Sequence, residues 1–106
     1  VQAQTIRLLV ARSPLAGFNH HEAAAHFDDM RVGDALALIR EPDNPHDTNA
    51  IRVEWRGVKL GYLPRRENRA VAQELDSGAA AEARIAALTH HPDPRKRLLI
   101  ELFTRL

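Results

Sequence analysis

The chain has 106 residues, 44% of them hydrophobic and 27% charged, which is the size and make-up of one globular domain. It has no cysteine, which excludes a disulfide framework, a thiolate zinc site and a cysteine nucleophile. The net charge of +1 excludes a strongly basic DNA-coating protein, but 11 basic residues face 7 acidic ones in 51–106, against 4 and 7 in 1–50, and this leaves room for a local phosphate contact.

In chain order, TIRLLVAR (5–12) is β-branched and apolar enough for a strand, and SPLAGFNHH (13–21) reads as a loop punctuated by Pro14 and Gly17. EAAAHF (22–27) has the propensity for one or two helical turns. After a turn at Gly33-Asp34, Leu36 and Leu38 alternate with Ala35, Ala37 and Ile39, which predicts a strand buried on at least one face. The polar loop EPDNPHDTN follows. A strand over 50–55 comes next, with Ile51, Val53 and Trp55 inward and Arg52 and Glu54 outward. Arg56-Gly57 predicts a tight hairpin into VKLGYL (58–63), which Pro64 ends. RRENRAVAQELDSG (65–78) predicts a helix, with Ala70, Val71, Glu74 and Leu75 at helical spacing and Gly78 as its stop. AEARIAALTH (81–90) is ambiguous by propensity, and its place between strand-like units favours a strand. HPDPRK (91–96) is a turn, and RLLIELFTRL (97–106) alternates as a closing strand. The expected fold is mostly β, a small antiparallel barrel of about six strands with one helix after the fourth.

The loop before the third strand raises the functional question. Pro42 and Pro45 frame Asp43 and Asn44, and His46, Asp47, Thr48 and Asn49 follow. Asp and Asn are ordinary turn residues that bond their own backbone, and Asn49 is expected to pin the strand start in that way. Gly61 is expected to serve packing or a bulge, and Trp55 and Tyr62 to serve the core or its rim.

Taken together, R-E-P-x-N-P-x-D-x-x-A-I-x-V (Arg40 to Val53), Gly33-Asp34 before it and G-Y-L-P (Gly61 to Pro64) after it resemble the HIRAN family, over about Thr5 to Phe103. The resemblance implies an OB-like barrel and a module that binds the 3′-hydroxyl end of single-stranded DNA. Such a site needs an acceptor for the hydroxyl, a stacking surface for the base and a cation for the phosphate. Asp47 is the acceptor that this implies, Asn44 the residue that orients the nucleotide, and His20 and His46 the base platforms beside His21. Arg65 is the phosphate clamp, helped by Asn19, Tyr62 and Arg66. A carboxylate at the hydroxyl would repel a phosphate put in its place. This chain has His20, His21 and His46 where family members carry tyrosine, and Asn19 where they carry a basic residue. A smaller ring stacks less well, and a stacked base is worth about 1–3 kcal/mol.

Other readings remain open from the residues alone. Six histidines suggest a metal, and with Asp47 a hydrolytic zinc or manganese site, but no tight ligand spacing such as HExxH is present, so no metal or other cofactor is expected. Glu41 and Asp47 could be paired as a carboxylate dyad, though nothing in the sequence sets their separation. Ser13 and Ser77 sit in turn contexts without a nucleophile elbow. An open edge strand, the C-terminal one being the candidate, could instead pair with a protein partner. The expectation is a non-catalytic, monomeric, cytoplasmic domain that delivers a fused or associated helicase or nuclease to DNA ends for repair or remodelling. No apolar run approaches the roughly 20 residues of a membrane span. A start at Val1 without methionine is expected of a processed protein or an excised piece of a longer one.

Overall fold

The structure, a computed structural model, describes residues 7–17 and 22–105. Six strands form one antiparallel sheet: β1 (Arg7–Pro14), β2 (Ala35–Arg40), β3 (Ile51–Trp55), β4 (Val58–Tyr62), β5 (Ala81–Leu88) and β6 (Leu98–Arg105). One α-helix, α1 (Arg65–Asp76), follows β4, and 3₁₀ helices occupy Glu22–Asp29 and Pro94–Lys96. The strand order is β1-β6-β5-β2-β3-β4. The sheet curls until its two edges meet. Beyond β1, Ala16 exchanges two backbone hydrogen bonds with Tyr62 of β4, at 2.9 and 3.0 Å. This curled half-barrel with one helix is the OB-like fold expected.

The curling has a local cause. Register shifts between Leu9 and Ala11, between Ile85 and Ala87, and opposite Val53/Glu54 place bulges in β1, β5 and β4. A bulge adds a residue to one strand and sharpens its twist and bend. In β4 the pairing jumps from Lys59 to Gly61, whose φ of 152° disfavours a side chain, so Gly61 serves a bulge as expected.

Strict alternation produces the core. Ile51, Val53 and Trp55 are buried in β3, and Leu98, Ile100 and Leu102 in β6. They pack against Leu60, Leu63, Ile85 and Met30. Trp55 is a core residue whose indole N–H donates to Asp34 at 2.9 Å. The buried stripe of α1 is Asn68, Val71 and Ala72, with Leu75 partly buried, whereas Ala70 and Glu74 face solvent. The helical spacing is therefore real, but its phase differs from the Ala70/Glu74 reading. Gly78, at φ 84°, ends the helix as Ala79 N–H bonds Glu74 C=O and Gly78 N–H bonds Leu75 C=O.

Two expectations need correction. Ser13 and Pro14 belong to β1, paired with Ile100 and Leu99, and not to the loop. The C-terminal strand is not an open edge, because β6 lies between β1 and β5 and pairs with both. Among the described residues no helix is long and apolar enough to cross a membrane.

Candidate nucleic-acid interface

The loop of residues 41–50 joins β2 to β3, and its base is closed by Glu41 N–H to Ala50 C=O at 3.0 Å. Two i to i+3 turns build it. Asn44 N–H bonds Glu41 C=O with Pro42 at the second position, and Ala50 N–H bonds Asp47 C=O. Each turn is linked to an Asx motif. Asn44 Oδ1 accepts from His46 N–H, and Asp47 Oδ1 accepts from Asn49 N–H, both at 2.9 Å. The side chain that pins the start of β3 is thus Asp47, while Asn49 contributes its backbone.

Three braces fix the loop to the rest of the fold. Asn68, only 3% exposed on α1, donates from Nδ2 to Asp47 Oδ2 at 2.8 Å. Arg65 donates to His46 C=O at 2.8 Å, and its Nε lies 3.8 Å from Asp47 Oδ2. Arg40 grips Asp76 of α1 with two bonds, at 2.9 and 3.1 Å, and also donates to Thr48 C=O and Ala50 C=O. On the far side of the loop, Glu41 accepts from Asn44 Nδ2, the Tyr62 hydroxyl and Arg52. Lys59 Nζ donates to the same Tyr62 hydroxyl and sits 4.6 Å from its ring centroid.

The electrostatics follow from these contacts. The Asn49 N–H, then Asn68, then the charges of Arg65 and Arg40 hold the Asp47 carboxyl below the usual range. Burial raises the pKa of Glu41, but hydrogen bonds from Asn44, Tyr62 and Arg52 outweigh it and leave the group below its ordinary value. Both carboxylates are ionised at neutral pH. The two are held by separate sets of donors and make no direct contact with each other among the described residues.

The structure therefore links Asn44, His46, Asp47, Tyr62 and Arg65 into one network, with Arg66 on the next residue of α1. Asn19, His20 and His21 lie outside the described residues. Spare capacity remains at the centre. A carboxylate has about four lone-pair sites, and each Asp47 oxygen has a direct hydrogen-bond donor at only one. The Arg65 side chain is 76% exposed, and a guanidinium has five N–H donors. An open cleft of about 390 Å³ adjoins the loop, lined by Arg40, Glu41, Pro42, Asp43, Asn44 and Pro45. Among the described residues no three His, Asp or Glu side chains converge as metal ligands.

Asn68, Arg40 and Lys59 were not singled out from the sequence. Asn68 had a readable signal, a polar residue in phase with Val71, Ala72 and Leu75 on the buried stripe. Arg40 had one as well, a charged residue in phase with Leu36 and Leu38 on the inward face of its strand and opposite the buried Ile51, whereas Lys59 had none, since a lysine on an outward strand position reads as surface.

The curled OB-like sheet thus carries a braced loop of acidic and basic side chains at the β2–β3 connection. The HIRAN domain family model matches residues 9–106, and the chain belongs to that family. Among solved structures, a protein from Lactobacillus plantarum is 28% identical over 96% of this chain and 98% of its own, with a TM-score of 0.79. The HIRAN domain of human HLTF is 23% identical over 93% of this chain and 73% of its own, with a TM-score of 0.67, which speaks for the fold. No curated protein matches the chain.

Proposed function

We propose that this chain, as one domain over 1–106, is a non-catalytic, monomeric, cytoplasmic module that docks the 3′-hydroxyl end of single-stranded DNA. In that role it would direct a fused or associated helicase or nuclease to DNA ends for repair or remodelling. The HIRAN family is known for DNA binding. The observation that carries the finer reading is the state of Asp47. It is an ionised carboxylate held by the Asn49 N–H and Asn68, half-buried, with the exposed guanidinium of Arg65 beside it. A fixed anion beside a cation suits a terminus that offers a hydroxyl donor next to a phosphodiester. A phosphate in place of the hydroxyl would meet Asp47 at close range and be repelled. Asn44, with one N–H and one lone pair beyond its internal bonds, orients the nucleotide. The His46 ring is carried on a backbone held at both its N–H and its C=O, which makes it a preorganised platform for a base, a role proposed also for His20, with His21 assisting. Arg65 holds the phosphate, and Arg66 and Asn19 assist. The Tyr62 hydroxyl hydrogen is committed to Glu41, so Tyr62 assists through its ring and its Lys59 partner.

The test is fluorescence anisotropy with a short oligonucleotide carrying a 3′-hydroxyl or a 3′-phosphate, for the wild type and for Asp47→Asn. Asparagine keeps an oxygen for the Asn49 N–H and removes the charge. The wild type is expected to prefer the hydroxyl end, and the variant to accept the phosphate end almost as well. Equal wild-type affinity for the two ends sinks the end-reading role.

A further inference from the structure

The charges of α1 run against its dipole. Arg65, Arg66 and Arg69 occupy its first two turns with Glu67 as the single acid of the first turn. The last turn holds no base and contains Asp76. A helix macrodipole favours acids at the start and bases at the end, and like charges three or four residues apart repel. Asp76 is accounted for by Arg40, which it anchors. The arginines at the start have no such account. The Arg66 side chain is 77% exposed and comes no nearer to a carboxylate than 3.9 Å, at Glu67. Arg69 is exposed and, among the described residues, has no hydrogen bond, ion pair or ring contact.

The rest of the described surface contrasts with this. Arg12 and Arg84 share Glu101, Arg52 bridges Glu41 and Glu54, Arg95 holds Asp93, and Arg97 is bonded to the carbonyls of His91 and Pro92. Arg56, over the Trp55 ring, and Lys96, whose charge acts on Asp93, also lack a carboxylate within ion-pair distance among the described residues, but α1 gathers the weakly paired Arg66 and the unpaired Arg69 within one turn, next to Arg65. Arg65 already touches the loop at His46. Local choices that cost stability without a visible return mark functional positions.

We infer that Arg66 and Arg69 form a phosphate track that leads a single DNA strand away from the terminus held by the loop. This rests on the proposed end-docking role and extends it from the last nucleotide to those preceding it. Arg65 and Arg69 are about 6 Å apart along the helix axis at 1.5 Å per residue. Successive phosphates of a single strand lie farther apart than the axial rise of about 3.4 Å per nucleotide in a duplex. The ridge therefore reaches about one phosphate beyond the one held by Arg65. It reads charge alone, so it adds affinity without base preference.

The experiment measures affinity for a 3′-hydroxyl octanucleotide between 50 and 200 mM salt. It compares the wild type, Arg66→Ala/Arg69→Ala, and Arg56→Ala/Lys96→Ala as a control of equal net charge elsewhere. Each phosphate contact to a single strand contributes about 0.7 to the salt slope, so losing two lowers it by about 1.4, which is about a sevenfold smaller loss of affinity over that range. The ridge variant is expected to show this drop while the control keeps the wild-type slope, and Arg69→Ala alone, which lies outside the end site, is expected to lower the slope by about 0.7 and to keep the preference for a hydroxyl over a phosphate end. A ridge variant with the wild-type slope, or a control that falls equally, overturns the track and leaves the end-docking role standing. A drop confined to the ridge variant, in a protein with no end preference, keeps the ridge as a phosphate surface and removes the end-docking role. An absence of wild-type binding removes both.

Discussion

The two connections that flank β3 solve the same geometrical problem in opposite ways. Strands β3 and β4 are joined by Arg56-Gly57 alone, with both residues at positive φ (47° and 80°), the conformation of a two-residue type I′ turn. Strands β2 and β3 are equally antiparallel neighbours, yet ten residues join them, with two turns, two Asx motifs and braces from Arg40, Arg65 and Asn68. A tight turn shows that the sheet does not need the longer path. Ordering a longer connection costs conformational entropy, and here polar bonds rather than an apolar core offset it. The difference teaches that the 41–50 loop is built to hold side chains at fixed places, while the 56–57 turn only reverses the chain.

That contrast can be strained from both sides. The largest effect is expected away from either connection. Ile100→Ala, at a fully buried site in β6, should lower unfolding free energy by about 2–5 kcal/mol in urea titrations. It should leave the 3′-hydroxyl preference of the surviving folded protein unchanged. Loss of that preference would mean that the loop is not braced independently of the β1–β6–β5 part of the sheet. Gly57→Ala comes next. A Cβ there meets no atom, so the penalty is the left-handed backbone alone, about 1–2 kcal/mol. The midpoint should fall with DNA affinity intact; a loss of affinity larger than the loss of stability would tie the short turn to the site.

The smallest effect is expected on acidification, and the loop contributes to it through Glu41 and Asp47. Asp34, Glu41, Asp47 and Asp76 all have lowered folded-state pKa values, and Arg95 holds Asp93 down to about 2. The stability they contribute is fully present above the ordinary carboxylate range near 4 and is lost progressively as pH falls from there through the lowered folded-state values. Thermal midpoints should be level from about pH 7 to 5 and decline below about pH 4. Glu41→Gln should start lower at neutral pH and decline less. A variant that matches the wild type at every pH would show that the Glu41 network with Asn44, Tyr62 and Arg52 does not stabilise the loop.

Much of this was legible in one dimension. Alternation in 51–55 and 98–103 set which side chains face inward, because successive strand residues point to opposite faces. Arg56-Gly57 and Gly78 announced a turn and a helix end through backbone preferences carried by single residues. The motif from Arg40 to Val53 pointed to the family, and the family model agrees. Only the tertiary structure decided that β6 lies inside the sheet, that Ala16 meets Tyr62 to bring the sheet edges together, and that Asp47 is held by Asn68 and Arg40 by Asp76. Those side-chain pairs are 21 and 36 residues apart in the chain. Periodicity and turn chemistry act over a few residues and are written into local order. Which polar groups meet across the fold depends on where α1 docks, and that is set by the packing of its buried stripe against the curled sheet.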